Sequence, residues 1–550
     1  MENLTKVQRS DNKLKSQLQQ RKTPVDLKID LSQYINHAHL VKNDDMEITH
    51  RFLLEDIEEQ DCILLQVPNI NESGYYSGIV GLKSYIDKFY DILRVAVIDP
   101  VIDYFFLNPP DKQGEFFNLF NTYTKQGQYW LLYEHQEIYD IVDGFISKYI
   151  EKTKASHIGF SIIDGNIDAT LAIAKLVKER FPDIKILMGG NGIQVLDFGT
   201  LPNTKYTTDK YDFIDVFVMG DGEETFVELL MSDFSDESLR SIKGIVWWDN
   251  GKLTHNERRG NIDMESLPFP NYEPLEENYY YNSTYNTNVP LVFSRGCPYR
   301  CSFCSVPDFI PTFRYRTIDS VIEEMEHWIN KGRYHFFCHD SIINGKPRWL
   351  QEFSRRVIEK GWGDGMISWG GNMRLQEHMR DIENMELYYK AGMRKMITGF
   401  ESASEPVLRH MKKYTKTDGV REIFENVRKI NEGKEYPMQF AMQIIVGYLN
   451  ETEEDFQRTI DFVKEYHDCM SEILTCSAFL LHEPLKKRWL SEGEKFYNFE
   501  NNVVYDTDYN TTKQRIEWLD RIEEAFKEIG IPYSIYNRGI VLDFYGREKR

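Results

Sequence analysis

Cys297, Cys301 and Cys304 fall within the short run Ser294-Arg295-Gly296-Cys297-Pro298-Tyr299-Arg300-Cys301-Ser302-Phe303-Cys304. Thiolates are soft ligands that suit iron-sulfur clusters or zinc, and three in one loop can wrap a single metal centre. A structural zinc takes four closed ligands, yet no Cys or His follows Cys304 at the usual short spacing. The pattern therefore fits a cluster with one iron left free to bind and activate another molecule. A zinc-holding scaffold without catalysis is the alternative. Cys62, Cys338, Cys469 and Cys476 are scattered and bring the total to an odd seven, which suits a reducing compartment better than a disulfide framework. Cys338, at the mouth of an expected strand, is a weak candidate for a catalytic thiol, because free cysteines are commonly inert core residues.

Such a loop needs a scaffold, and the hydrophobic pattern supplies two. Cys62 to Val67, Arg94 to Ile98, His157 to Ile163, Ile184 to Met188 and Asp215 to Met219 are short apolar runs, separated by helical stretches such as Gly78 to Leu93 and Asp168 to Phe181. This alternation predicts an N-terminal Rossmann-like parallel sheet that binds ligands at the carboxyl ends of its strands. Gly189, Gly190 and Gly220 lie at that edge, where glycine either permits a tight turn or lets a ligand approach the backbone.

A linker rich in Asn, Pro and Tyr leads to six further apolar runs: Leu291 to Ser294, Tyr334 to Cys338, Met366 to Trp369, Lys395 to Phe400, Met438 to Val446 and Glu472 to Leu481. With helices between them, such as Ile318 to Asn330 and Glu451 to Tyr466, they predict a partial (β/α)6 TIM-like barrel. The cysteine loop follows its first strand, at the active-site end. A helix over Thr511 to Ile529 and a strand-like run at Gly539 to Phe544 predict a C-terminal α/β extension. The expected fold class is α/β, divided into a leader (1–55), a Rossmann-like domain (56–260), a linker (261–290), the barrel (291–485) and the extension (486–550).

The 550 residues exceed the size of one core, and 41% hydrophobic residues with 14% aromatics are ample to fill several. A formal net charge of −21 repels a phosphate backbone, so nucleic acid is an unsuitable partner and a small molecule or peptide is the expected substrate. No apolar run approaches the roughly 18 to 20 residues of a membrane span, and the first residues lack the apolar core of a signal peptide. A cytoplasmic location is expected.

The cysteine run, with Phe303 before its third cysteine, resembles the CxxxCxxC signature of the radical S-adenosylmethionine (SAM) superfamily. The resemblance implies a [4Fe-4S] cluster on Cys297, Cys301 and Cys304 whose open iron takes SAM and whose electron cleaves it to a 5′-deoxyadenosyl radical. It also implies SAM contacts from Phe303, Asp340, Arg374, Glu401 and Ser402, and an external electron donor such as flavodoxin or ferredoxin. Gly399-Phe400-Glu401-Ser402-Ala403-Ser404 resembles the G-x-E-S-x-S segment of members with an N-terminal cobalamin-binding domain. Gly447 to Thr452 resembles their G-x-P-G-E-T loop, with Leu449 and Asn450 in place of Pro and Gly.

Upstream, Gln66-Val67-Pro68, Gly159-Phe160-Ser161, Met188-Gly189-Gly190 and Gly220 to Thr225 are similar to landmarks of that domain. They imply a corrin over Gln66, Ser161, Gly189, Gly190 and Gly220. Free-standing cobalamin domains carry D-x-H-x-x-G after the first strand, whereas the loop here, Asn69 to Gly74, holds no histidine. No cobalt ligand is expected from that loop. The implied function is a cobalamin-dependent radical SAM methyltransferase acting on an unactivated carbon of a peptide or specialised metabolite. The alternative is radical SAM cyclisation, oxidation or rearrangement without methyl transfer. A tRNA methylthiotransferase is disfavoured, since its front domain supplies three more cluster cysteines where this one offers only Cys62. Cys469 and Cys476 are likewise too few for a typical second cluster.

Overall fold

The computed structural model describes residues 58–65, 67, 77–98, 136–163, 166–196, 211–272, 288–363, 365–413, 417–536 and 541. The leader, Gln66, the loop Asn69 to Gly74 and nearly all of the run Gly539 to Phe544 lie outside the described residues.

The front sheet contains β1 (Cys62–Leu65), β2 (Val95–Ile98), β3 (His157–Ser161), β4 (Lys185–Gly189), β5 (Val216–Val218), β6 (Ile245–Asp249) and β7 (Lys252–His255). Their spatial order is β2-β1-β3-β4-β5-β6-β7. The first five pair in parallel, as the apolar runs require. Every residue of β1 is buried, because a parallel sheet is covered on both faces. Cys62 and Leu64 join one apolar cluster while Ile63 and Leu65 join another, the period-two alternation of a strand. The antiparallel pair β6 and β7 goes beyond the sequence expectation. Asn250 and Gly251, with φ of 51° and 74°, make its two-residue turn, the combination that positive φ at both positions favours.

The second sheet contains β8 (Val289–Leu291), β11 (His335–Cys338), β12 (Ser368–Met373), β13 (Met393–Glu401), β14 (Gln439–Val446), β15 (Met470–Ala478) and β16 (Tyr533–Tyr536). Two short strands, β9 (Ser294–Arg295) and β10 (Arg314–Tyr315), pair antiparallel beside it. Neighbours in the order β16-β15-β14-β13-β12-β11-β8 are all parallel, as in a partial TIM-like barrel. The extension contributes its last strand directly to this sheet, at Tyr533–Tyr536. The helix Thr512–Ile529 that precedes β16 starts from a capping box in which Thr511 and Gln514 satisfy each other's backbone N–H groups.

The loop after β14 forms a tight turn without the Pro and Gly of the related motif, since the Glu451 N–H donates to the Tyr448 carbonyl at 2.9 Å. Glu451 Oε2 accepts from the Gly447 N–H, and Thr452 caps the following helix with Asp455. One continuous apolar cluster runs from Leu64, Val216 and Trp247 of the front sheet to Phe336, Met396 and Ile444 of the barrel. The two sheets therefore share a core.

Candidate active site

The cysteine loop leaves β9 at Gly296, whose φ of +86° is a left-handed conformation. A Cβ there would lie 2.5 Å from the Thr312 carbonyl oxygen, so only glycine lets the chain turn into the loop. Ser302, between the second and third cysteines, fixes the loop from three sides. Its N–H donates to the Met411 carbonyl at 2.9 Å. Its hydroxyl lies 2.8 Å from the Tyr448 hydroxyl and 3.3 Å from the His410 carbonyl. Its carbonyl accepts from His482 Nε2 at 3.0 Å. His482 also caps the helix Glu483–Ser491 by accepting the Leu485 N–H at Nδ1, which fixes the neutral Nε2–H tautomer.

Around this loop the structure brings together several of the residues expected there. Arg374 stacks over Tyr299 at 4.2 Å and points Nη1 at Cys301 Sγ, 3.6 Å away. Glu401, at the end of β13, ion-pairs with Lys413 at 2.9 Å, and the same ammonium lies 5.9 Å from the Phe303 ring. Glu401 holds φ of +66°, a strained backbone for a residue with a side chain. Its charge is close enough to Cys304 to oppose a thiolate there, yet burial is the main reason that thiol is pushed up to about 11. Burial likewise pushes the Cys297 thiol up. Iron coordination would hold both as thiolates. Among the described residues no three His, Cys, Asp or Glu side chains gather as a single ion requires. Thiolates that each hold a different iron of one cluster have no such requirement.

Three expected residues are buried among contacts with the scaffold. Asp340 is buried and accepts from the Phe293 N–H at 2.9 Å, the Ser294 N–H and the Ser294 hydroxyl, tying β11 to the strand pair that launches the loop. Burial pushes its carboxyl up to about 7 against those donors. Ser402 is fully buried beside Thr459 and accepts the Ser404 N–H. Cys338 is fully buried, a Cβ on Gly371 would touch its own Cβ at 2.9 Å, and burial pushes its thiol far up. Its surroundings are those of a core residue.

Ser161, Gly189, Gly190 and Gly220 line one cavity of about 290 Å³, together with Pro290, Val292, Arg295 and Gly296 from the barrel side. Gly189 and Gly220 form a low shelf: a Cβ on Gly220 would meet nothing within 4 Å, and one on Gly189 would only touch Val218 at 3.6 Å, whereas one on Gly190 would lie 2.5 Å from the Ile162 carbonyl oxygen. A wide planar group can therefore lie against the backbone, as a corrin requires. His339 lines the same cavity with an exposed side chain. His157 begins β3, at the end opposite Ser161, and its ring contacts Ser156 and Asp61.

Lys413, Ser302 and His482 were not singled out by sequence reasoning. Lys413 and His482 act across the fold, with no local pattern to mark them, whereas Ser302 was marked only by its place between two cysteines.

A cysteine loop on a partial barrel, facing a glycine shelf on a doubly covered parallel sheet, defines an α/β enzyme built for bound cofactors. Residues 291–463 match the family model of the radical SAM superfamily. It is similar to the anaerobic magnesium-protoporphyrin IX monomethyl ester cyclase of Cereibacter sphaeroides, 29% identical over 307 residues. That match covers 54% of this chain and 48% of the cyclase, about half its length. An uncharacterized methyltransferase of Pyrococcus horikoshii is 25% identical over 330 residues, 59% of this chain and 68% of that protein. The structure of the radical SAM methyltransferase TsrM from Kitasatospora setae, with cobalamin and a [4Fe-4S] cluster bound, superposes with a TM-score of 0.55 at 14% identity, covering 81% of this chain and 78% of that one. The likeness to TsrM is one of fold.

Proposed function

We propose that the chain is a cobalamin-dependent radical SAM methyltransferase acting on an unactivated carbon of a small molecule or peptide. The observation that carries this reading is the glycine shelf of the front sheet, which shares one cavity with the residues leading into the cysteine loop. When bound, the cluster and SAM supply a 5′-deoxyadenosyl radical and the corrin supplies a transferable methyl group. Cys297, Cys301 and Cys304 hold the cluster; Phe303, Arg374 and Glu401 border the place where SAM meets it. Ser161, Gly189, Gly190 and Gly220 carry the corrin, with Gln66 as a further candidate. The bound cofactors and the substrate would together fill the cavity and exclude water and oxygen from the reacting atoms. The divisions 56–260, 261–290, 291–485 and 486–550, a flavodoxin- or ferredoxin-type electron donor and a cytoplasmic location belong to the same proposal. Among the described residues no helix is long and apolar enough to cross a membrane.

Similarity to a cyclase favours a second reading, radical cyclisation without methyl transfer. Anaerobic reconstitution with iron, sulfide and hydroxocobalamin, then SAM and titanium(III) citrate, separates the two. The methyltransferase binds about four irons and one cobalamin per chain and releases S-adenosylhomocysteine as well as 5′-deoxyadenosine. Deoxyadenosine alone supports the second reading. Replacing Cys297, Cys301 and Cys304 together by Ala removes the iron, and a triple variant with full iron content overturns the cluster assignment.

A further inference from the structure

The cysteine loop and the glycine shelf belong to distant parts of the chain, and four charged side chains join them. Asp221 directly follows Gly220 of the shelf, and Arg295 precedes Cys297 by two residues. Arg314 lies on β10, the partner of β9. Arg295 donates from Nη1 to Asp221 Oδ1 at 2.8 Å and from Nη2 to Glu223 Oε1 at 2.6 Å. Arg314 donates from Nη1 to Asp221 Oδ2 at 2.7 Å and from Nη2 to Oδ1 at 3.2 Å. The same carboxylate accepts the Ile262 N–H at 3.0 Å, while Arg314 donates back to the Ile262 carbonyl at 2.9 Å.

One carboxylate thus fastens the front loop, the segment at Ile262 and the base of the cysteine loop. Charge balances, two guanidinium groups against two carboxylates, and the side chains are only 7% to 27% exposed. Arg314 grips Asp221 with both ends of a planar fork, which fixes direction as well as distance. Glu223 lines the cavity, and its Oε2 has no hydrogen-bond partner in the protein.

We infer that Asp221, Glu223, Arg295 and Arg314 are positioning residues that set the register of the cysteine loop against the glycine shelf. They thereby fix the distance over which SAM on the cluster hands its methyl group to the corrin. The inference rests on the two-cofactor reading above. With both cofactors bound, that transfer would break the sulfur–methyl bond of SAM heterolytically, pass the methyl to a cobalt(I) corrin and release S-adenosylhomocysteine. Radical cleavage of SAM needs only the cluster side. Loosening the joint therefore separates the two outcomes, because a misplacement of about 1 Å between reacting groups costs on the order of a hundredfold in rate.

Arg314→Gln removes the two-pronged ion pair with Asp221, at a residue that lines neither the cavity nor the cysteine loop. With hydroxocobalamin, SAM and titanium(III) citrate as probes, iron content and cobalamin content stay at the wild-type level and 5′-deoxyadenosine formation stays within about twofold. S-adenosylhomocysteine formation falls about tenfold or more. Arg314→Lys, which keeps the charge but not the two-pronged fork, falls between. Hydrogen–deuterium exchange on the protein without cofactors reports the joint itself: the amides around Ile262 exchange faster in Arg314→Gln. Should that variant fail to fold, Asp221→Asn keeps the shape and removes the charge. An unchanged ratio of the two SAM products in variants that hold cobalamin, or unchanged exchange at Ile262, overturns this inference alone. A wild-type protein that binds no cobalamin overturns the two-cofactor reading, and the distance argument with it.

Discussion

Seven cysteines occupy two kinds of surroundings. Cys297, Cys301 and Cys304 are partly exposed, whereas Cys62, Cys338, Cys469 and Cys476 are buried. Burial pushes Cys469 up to about 12 and Cys338 and Cys476 well above their ordinary value, so neither access nor thiolate character favours reaction there. Iodoacetamide at neutral pH is thus expected to alkylate the three loop cysteines of the folded, cluster-free protein and to reach the other four only in denaturant. Mass spectrometry of the digested protein checks this, and rapid labelling of Cys338 in the native state contradicts its core placement. The spacing of the triplet was legible because its ligands are contiguous. Glu401 was legible as a charged residue at a strand end, but its partner Lys413 was not, since only the fold brings a helix terminus back to that strand. Asp340 and Ser402 were marked by resemblance alone, and the packed structure shows their oxygens committed to neighbouring backbone.

At the scale of elements, apolar runs located all the parallel strands of the front sheet and six of the barrel, with limits shifted by a few residues. The hairpin β6–β7 is antiparallel and lies outside the β-α alternation, although its Asn-Gly turn is a hairpin signal in the sequence. The extension's strand expected at Gly539 to Phe544 lies almost wholly outside the described residues, and Tyr533–Tyr536 pairs with β15. A short edge strand with intermediate burial throughout has too little apolar pattern to reveal itself. The turn after β14 carries a pH-dependent term. Glu451 is 1% exposed, and burial pushes its carboxyl up to about 8 despite the Gly447 N–H that it accepts. A folded value above the unfolded one stabilises fully below about pH 4.5 and loses that contribution as pH rises through about 8. Glu451→Gln, which keeps the neutral shape, should flatten the fall of melting temperature between about pH 5 and 8, and the variant should be the more stable protein at the upper end. Thermal melts across that range test it; parallel curves for the two proteins would show that Glu451 is ionised throughout.

Among the described residues the two sheets are joined by one apolar cluster common to both, beside two clusters that are not shared, and by the charges at Asp221. Units with separate cores unfold separately, whereas units that share a core lose their stability together. Calorimetry of the cofactor-free protein should therefore show a single transition for the front sheet and barrel. Two well-separated transitions would mean that the shared cluster is energetically divided. Fold class and the order of the two parallel sheets were legible from alternation alone. Their mutual placement was not, because it depends on long-range packing and on paired charges 74 and 93 residues apart.

The anchoring of Ser302 has a consequence for survival in air. An oxygen-damaged cluster usually departs as free iron and sulfide, and a loop held only by its metal would then collapse or drift. Here Met411, Tyr448, His410 and His482 keep the peptide between the second and third cysteines in place through its own N–H, hydroxyl and carbonyl. Little chain entropy remains to be removed when a new cluster arrives. The protein is thus suited to repair: a spent centre can be replaced in a waiting cradle, and the polypeptide outlives the inorganic part that it carries.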